Sequence, residues 1–253
     1  HVAGTVAGNT QGWARDANIY NMEFSSNAGG GNGISGLWWY NIMFEYVRHF
    51  HNNKPINAAT GRRNPTICNN SWGFNNNDGN ILLSTISEIK YRGVTTSLSG
   101  MTTAQKRTAL QDRRIPVPSN TYGSPFNSDR TDYMGIRVAS VDADIEDAMD
   151  DGVIFVGSAG NSFWPIDRSG GDDYDNMLVI NGAGHYSNRG STPGNTETSK
   201  GNTISVGAIS VNTNDRKVYF SNCEERVDIW APGTSIMSSV KNSSSGYSNQ
   251  VQD

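Results

Sequence analysis

Gly152-Val153-Ile154-Phe155-Val156-Gly157-Ser158-Ala159-Gly160-Asn161 is the stretch on which the fold turns. Four consecutive β-branched or aromatic residues, closed at each end by glycine, read as a compact buried strand. The residues ahead of it follow a different period. Val138, Val141, Ile145 and Met149 recur at three- and four-residue steps, the spacing of one helix face, and Gly152 stops that helix. A helix that delivers the chain into a buried strand is the repeating unit of a parallel sheet.

The same alternation extends outward in both directions. Upstream, Thr66 to Asn70 is a short strand candidate, and Ser71-Trp72-Gly73 leaves it in extended form. Leu37, Tyr40, Phe44 and Val47 give one apolar face to a helix that ends near His51 and Asn52, with Pro55 beyond it. Further back, Asn18 to Phe24 alternates apolar and polar residues as a strand does, followed by a loop over Asn27 to Gly36. The opening His1 to Gly8 is rich in small residues at helical spacing and reads as a buried helix. Downstream, strands are expected at Met177 to Ile180, Thr203 to Ser210, Val218 to Phe220 and Val227 to Trp230. Between Asn75 and Met134 one signal stands out: Thr102 with Gln105 forms a capping box for a helix ending near Arg113, before Pro116 and Pro118. The expected fold class is α/β, a mostly parallel central sheet with helices on both faces. Trp38, Trp39, Trp72 and Trp230 are expected to be buried.

Composition narrows the function. A length of 253 residues suits one large domain, and 20 Lys+Arg against 24 Asp+Glu, with no basic run, argues against nucleic acid as a partner. No apolar stretch is long enough to span a bilayer. The two cysteines, Cys68 and Cys223, have neither metal-ligand spacing nor the density of a disulfide scaffold. A nucleotide-binding α/β domain is disfavoured, because Gly29-Gly30-Gly31 opens no fitting G-x-G-x-x-G turn.

Four segments, in order, carry a resemblance. His1-Val2-Ala3-Gly4-Thr5 is similar to the tail of the subtilase motif His-Gly-Thr-His-Val-Ala-Gly-Thr, with His1 matching the second, non-catalytic histidine. Ser158-Ala159-Gly160-Asn161 resembles the subtilase strand that ends in Ala-Gly-Asn. Thr203 to Ala208 resembles a later strand of that family. Phe220-Ser221-Asn222 followed by Val227 to Ile236, with its Ala231-Pro232-Gly233, resembles its closing strands. The chain is thereby identified as a member of the subtilisin-like serine peptidases, residues 1–253 forming part of a catalytic domain built as a three-layer sandwich.

The resemblance implies a serine endopeptidase that hydrolyses peptide bonds by Ser/His/Asp acyl transfer. It makes Asn161 the side-chain donor of the oxyanion hole. Ser71, Trp72 and Gly73 become the edge that pairs with an extended peptide by β-augmentation, and Ser158, Ala159 and Gly160 the facing wall of the pocket for the side chain before the scissile bond. The triad itself falls outside the matched residues, so this segment alone is expected to be inactive. Ser235, in Gly233-Thr234-Ser235, lacks the Met-Ala that follows the family's nucleophile. The alternative is a subtilase-like binding or structural protein that has lost its triad. By resemblance the protein is extracellular.

Two stretches exceed the compact family pattern. Ninety positions separate Ser71 from Asn161, which implies an insertion at about 74–132, and a second expansion runs over about 163–202. The latter holds Asp167, Asp172, Asp173 and Asp175, whose oxygens suit calcium, although solvated loop acids are the preferred reading. No cofactor is required and no metal ligand is assigned.

Overall fold

The computed structural model describes residues 1–9, 12–22, 38–117, 129–194, 203–211 and 214–238. They fall into two compact units: Phe44–Gly207 with Tyr219–Ile229, and His1–Met43 with Ala208–Val218 and Trp230–Asp253. The helices are α1 (Val2–Ala7), α2 (Trp38–Asn52), α3 (Thr103–Gln111) and α4 (Ala139–Asp150). The strands are β1 (Ile56–Asn57), β2 (Arg62–Arg63), β3 (Thr66–Asn70), β4 (Asn75–Leu82), β5 (Ile86–Tyr91), β6 (Val94–Ser97), β7 (Arg130–Gly135), β8 (Val153–Ser158), β9 (Met177–Ile180), β10 (Ala183–Tyr186), β11 (Ile204–Ser210), β12 (Arg216–Lys217) and β13 (Ile229–Pro232).

In the larger unit β8 is the middle strand of a parallel β3–β8–β11 arrangement, with Thr66 opposite Val153 and Ile204 opposite Val156. The α/β expectation is met here, α4 feeding β8 and packing on it. Val153 and Phe155 point into the core, and the Phe44 ring of α2 meets Phe155 edge-on at 5.7 Å. The other side of the strands carries Ile67, Ile154 and Ile204 at 65%, 42% and 39% exposure, so β8 is buried on one side only, not throughout. Gly152 ends α4 with φ +102°, a backbone conformation that favours glycine, and His51 Nε2 lies 3.3 Å from where a Cβ would sit. Asp151 next to it accepts from Arg48 Nε at 2.6 Å and Asn52 Nδ2 at 2.7 Å, tying α4 to α2.

A second sheet of this unit was not legible as one. β10–β9–β5–β6 is wholly antiparallel, with Ile89 opposite Leu178 and Thr96 opposite Ile89 on its other edge. The stretches expected to be separate expansions, 74–132 and 163–202, therefore pair with each other. Leu83, Ile86, Ile89, Leu98, Leu110, Met134, Trp164 and Leu178 share one buried cluster beneath it. Helix α3 seals one side and begins as expected, Gln105 N donating to Thr102 Oγ1 and Thr102 N to Gln105 Oε1. Strand β4 is rich in Asn and reads locally as a loop; its pairing comes from β7, with two register irregularities.

Several further expectations change. Helix α1 forms, but only Gly4 of its residues is buried, while Val2 and Val6 are exposed. Asn18 to Met22 has no regular structure, and the remainder of that expected strand, like the Asn27 to Gly36 loop, lies outside the described residues. The strand expected at Val218 to Phe220 is Arg216–Lys217 instead, pairing with Ser210 and Ile209. Strand β13 starts at Ile229, two residues later than expected. Trp230 is 37% exposed and Trp72 half-buried, whereas Trp164, which the sequence did not single out, is the tryptophan at 1%. The side chains of Trp38 and Trp39 lie outside the described residues.

One clasp joins the two paired stretches. Arg92 donates from Nε and Nη2 to both carboxylate oxygens of Asp173, at 2.8 and 2.9 Å, and Asn176 Nδ2 donates to Asp173 Oδ1 at 2.9 Å. The Arg92 guanidinium holds the Asp173 carboxyl below the usual range, against the opposing effect of burial. A carboxyl depressed on folding contributes stability above its unfolded value that is lost as pH falls through the folded one. Asp173→Asn is thus expected to lower the urea midpoint at about pH 7 and to have a shrinking effect below about pH 4. Paired urea titrations of parent and variant across that range check it.

Candidate functional site

Strands β3 and β8 end side by side, Asn70 opposite Gly157, so Ser71–Gly73 and Ser158–Asn161 leave the sheet at one edge. In open α/β sheets this carboxyl edge is where ligands bind. The segment around Ser191 bridges the two exits. Phe74 N donates to Ser191 O at 3.1 Å, and the Thr192 hydroxyl donates to Ser158 O. A Cβ on Gly73 would lie 2.5 Å from Ser191 O, so this approach requires glycine. The bridge is fixed from behind, where Gly194 N donates to the buried Asp142 at 2.7 Å and Thr203 Oγ1 to Gly194 O at 2.6 Å. Asp142 is in turn paired with Arg137 at 2.7 Å. Ser191 and Thr192 carry no local pattern that marks them in sequence.

The sequence-expected residues take distinct environments. Ser71 and Gly73 are exposed. The Trp72 indole lies stacked with Phe44 at 6.2 Å and edge-on to Phe74 at 5.4 Å, against α2. Ser158 and Gly160 are half-buried, and Ala159 is fully buried, its N–H donating to Val206 O at 2.8 Å. Asn161 is exposed at the end of this run, directly after Gly160 with φ +108°. Beside it runs Phe220–Cys223: Phe163 N donates to Phe220 O, Asn222 N to Gly160 O and Cys223 N to Trp164 O, at 2.9, 3.0 and 3.0 Å.

In the smaller unit, His1 Nε2 lies 3.1 Å from Ile236 O. A carbonyl only accepts, so that nitrogen carries a proton and has no lone pair free to act as a base. Ser235 nearby in sequence is exposed with φ +56°.

The acidic residues correct one expectation. Asp167 and Asp173 are buried, not solvated: Asp167 accepts from the amides of Arg168 and Asp173 at 2.7 and 2.8 Å, and Asp173 is held by Arg92. Asp172 and Asp175 are exposed, Asp175 pairing with Arg189 at 2.7 Å. Among the described residues no three His, Cys, Asp or Glu side chains converge as metal ligands would. Burial pushes the Cys68 thiol up to about 11, which leaves little thiolate at neutral pH. Among the described residues no helix is long and apolar enough to cross a membrane.

The sequence profile of the Subtilase family matches residues 1–253. The chain belongs to the subtilase family. Among solved structures it is similar to the crystal structure of a cold adapted subtilisin-like serine proteinase, at 18% identity and a TM-score of 0.45. That similarity covers 94% of this chain and 49% of the other, so the chain spans about half the length of that proteinase. No curated protein matches it. At family level the chemistry of subtilases is serine-type peptide hydrolysis.

The aromatic contacts give Trp72 of this subtilase a packing role at the exposed edge. Trp72→Ala is expected to lower the unfolding free energy by about 2 kcal/mol, roughly half of what a fully buried aromatic loses. Chemical denaturation of the purified variant measures this.

Proposed function

We propose that the complete protein is a serine endopeptidase in which residues 1–253 supply the substrate edge and the oxyanion donor, while the nucleophile, base and acid come from sequence outside them. The observation that supports this best is the shared exit of Ser71–Gly73 and Ser158–Asn161 from β3 and β8. A peptide laid along Ser71–Gly73 in extended form pairs through main-chain hydrogen bonds, which fits many sequences. Its side chain before the scissile bond then faces Ser158, Ala159 and Gly160, with Ser191 beneath.

Asn161 suits the oxyanion because its side chain stands exposed at the strand end. During attack the carbonyl oxygen gains negative charge, and an amide N–H already aimed at it stabilises that state more than the ground state. The rigid run before Asn161 means that little reorganisation accompanies the reaction. No step of this scheme calls on a metal or cofactor.

Asn161→Ala in the complete enzyme is expected to lower kcat by about 100- to 1,000-fold with little change in KM, a magnitude borrowed from a subtilisin asparagine donor. Steady-state kinetics on a chromogenic peptide test it. An equal effect on kcat and KM, or none on kcat, counts against the oxyanion role.

A further inference from the structure

The side chain of Asn222 is 4% exposed and sits inside the turn that carries Asn161. Its Oδ1 accepts from Ser162 N at 3.1 Å and from Trp164 N at 2.9 Å, and its Nδ2 donates to Ala159 O at 2.9 Å. Its own N–H donates to Gly160 O at 3.0 Å. Four hydrogen bonds from one residue thus reach both sides of Asn161 and none goes to Asn161 itself. The orientation of the amide is fixed by its partners, since two N–H groups face one end and a carbonyl the other.

Only an amide of this length fits. Aspartate keeps the acceptor but has no donor for Ala159 O, and serine is too short to span from residue 159 to 164. Gly160 is cut to the same shape: a Cβ there would lie 2.5 Å from Asn222 Nδ2, and its φ of +108° is one that other residues rarely adopt. Asn222 is itself held in place. Arg226, 1% exposed, donates to the carboxylate of Asp228 and to Thr203 O at 2.5 Å, and Ser205 N donates to Asp228 Oδ2 at 2.7 Å. The Phe220–Asp228 segment is therefore fastened to β11, and Asn222 is presented to the turn from a fixed base.

We infer that Asn222 is a positioning residue for the oxyanion donor, clamping the 159–164 turn so that the Asn161 amide keeps its aim. The inference rests on the oxyanion reading of Asn161. Misplacing a catalytic group by about 1 Å costs on the order of 100-fold in rate, so loss of the clamp acts on turnover more than on substrate binding.

In the complete enzyme Asn222→Ala is expected to lower kcat by about 10- to 100-fold with KM within about threefold. The double variant with Asn161→Ala should then be no slower than Asn161→Ala alone, because a clamp has nothing to aim once the donor is gone. Hydrogen exchange at the Ser162 and Trp164 amides should rise in Asn222→Ala while β8 and β11 stay protected. If Asn222→Ala does not fold, Asn222→Asp carries the same comparison, with an intermediate loss of kcat. Unchanged kcat in the Asn222 variants, or losses that multiply in the double variant, would overturn the inference while leaving the role of Asn161 intact. An Asn161→Ala enzyme with full kcat would overturn the oxyanion reading itself, and the inference with it.

Discussion

β8 is paired on both edges at its carboxyl end, by β3 from Val153 to Gly157 and by β11 from Val156 to Ser158, and the rest of the larger unit is built on that constraint. Pairing runs from Thr66 with Val153 to Asn70 with Gly157, and from Ile204 with Val156 to Val206 with Ser158. A strand paired to two neighbours cannot slip without breaking two ladders, and a slip of one residue would turn Phe155 out of the core. The point where β8 ends is therefore fixed, and with it the position of Ala159, Gly160 and Asn161. Below that point the chain is held by side chains. Asn222, Thr192 and the Arg226–Asp228 pair each bind main-chain groups that a regular ladder would have satisfied. Such contacts contribute modest net stability, but removing the partner of a buried group such as Asn222 or Arg226 strands it, at a cost of about 1–3 kcal/mol. They hold one geometry more than they add to stability.

The antiparallel sheet supports the same place from behind. Trp164 and Ala159 belong to the apolar cluster that also contains Ile89 and Leu178, so the strand end and the second sheet share one core. Two stretches far apart in sequence are joined by backbone pairing and by the Arg92–Asp173 clasp. These two stretches are thereby packed structure, and their core reaches Ala159 at the end of β8.

What sequence made legible follows periodicity and local chemistry. Helices α2, α3 and α4 and strands β3, β8 and β11 stand where apolar spacing, the Thr102–Gln105 capping box and the Gly152 stop place them. β4 was hidden because Asn75 to Asn80 has no apolar alternation, and its pairing is imposed by β7 from 48 to 60 residues away. The second sheet was hidden for the same reason: nothing local says that Ile86–Tyr91 will find Met177–Ile180. Asp167 and Asp173 read as solvated acids because their partners, an amide six residues on and the guanidinium of Arg92, are visible only in three dimensions. The family resemblance named Ser71–Gly73 and Ser158–Asn161, and the structure brings these two segments side by side. The resemblance gave no sign of Ser191 and Thr192, whose roles are made by main-chain contacts. Asn222 lay inside a recognised Phe-Ser-Asn motif, yet its function as a clamp depends on where the turn at 159–164 runs.

The central claim is that this segment serves a serine nucleophile that it does not itself contain. It is tested most directly by reacting the complete gene product with a fluorophosphonate, which labels only activated serines, and locating the label by peptide mass spectrometry. The account requires one labelled serine outside residues 1–253, with Ser235 unmodified. Label on Ser235, or no label on any serine of a folded protein, would contradict it.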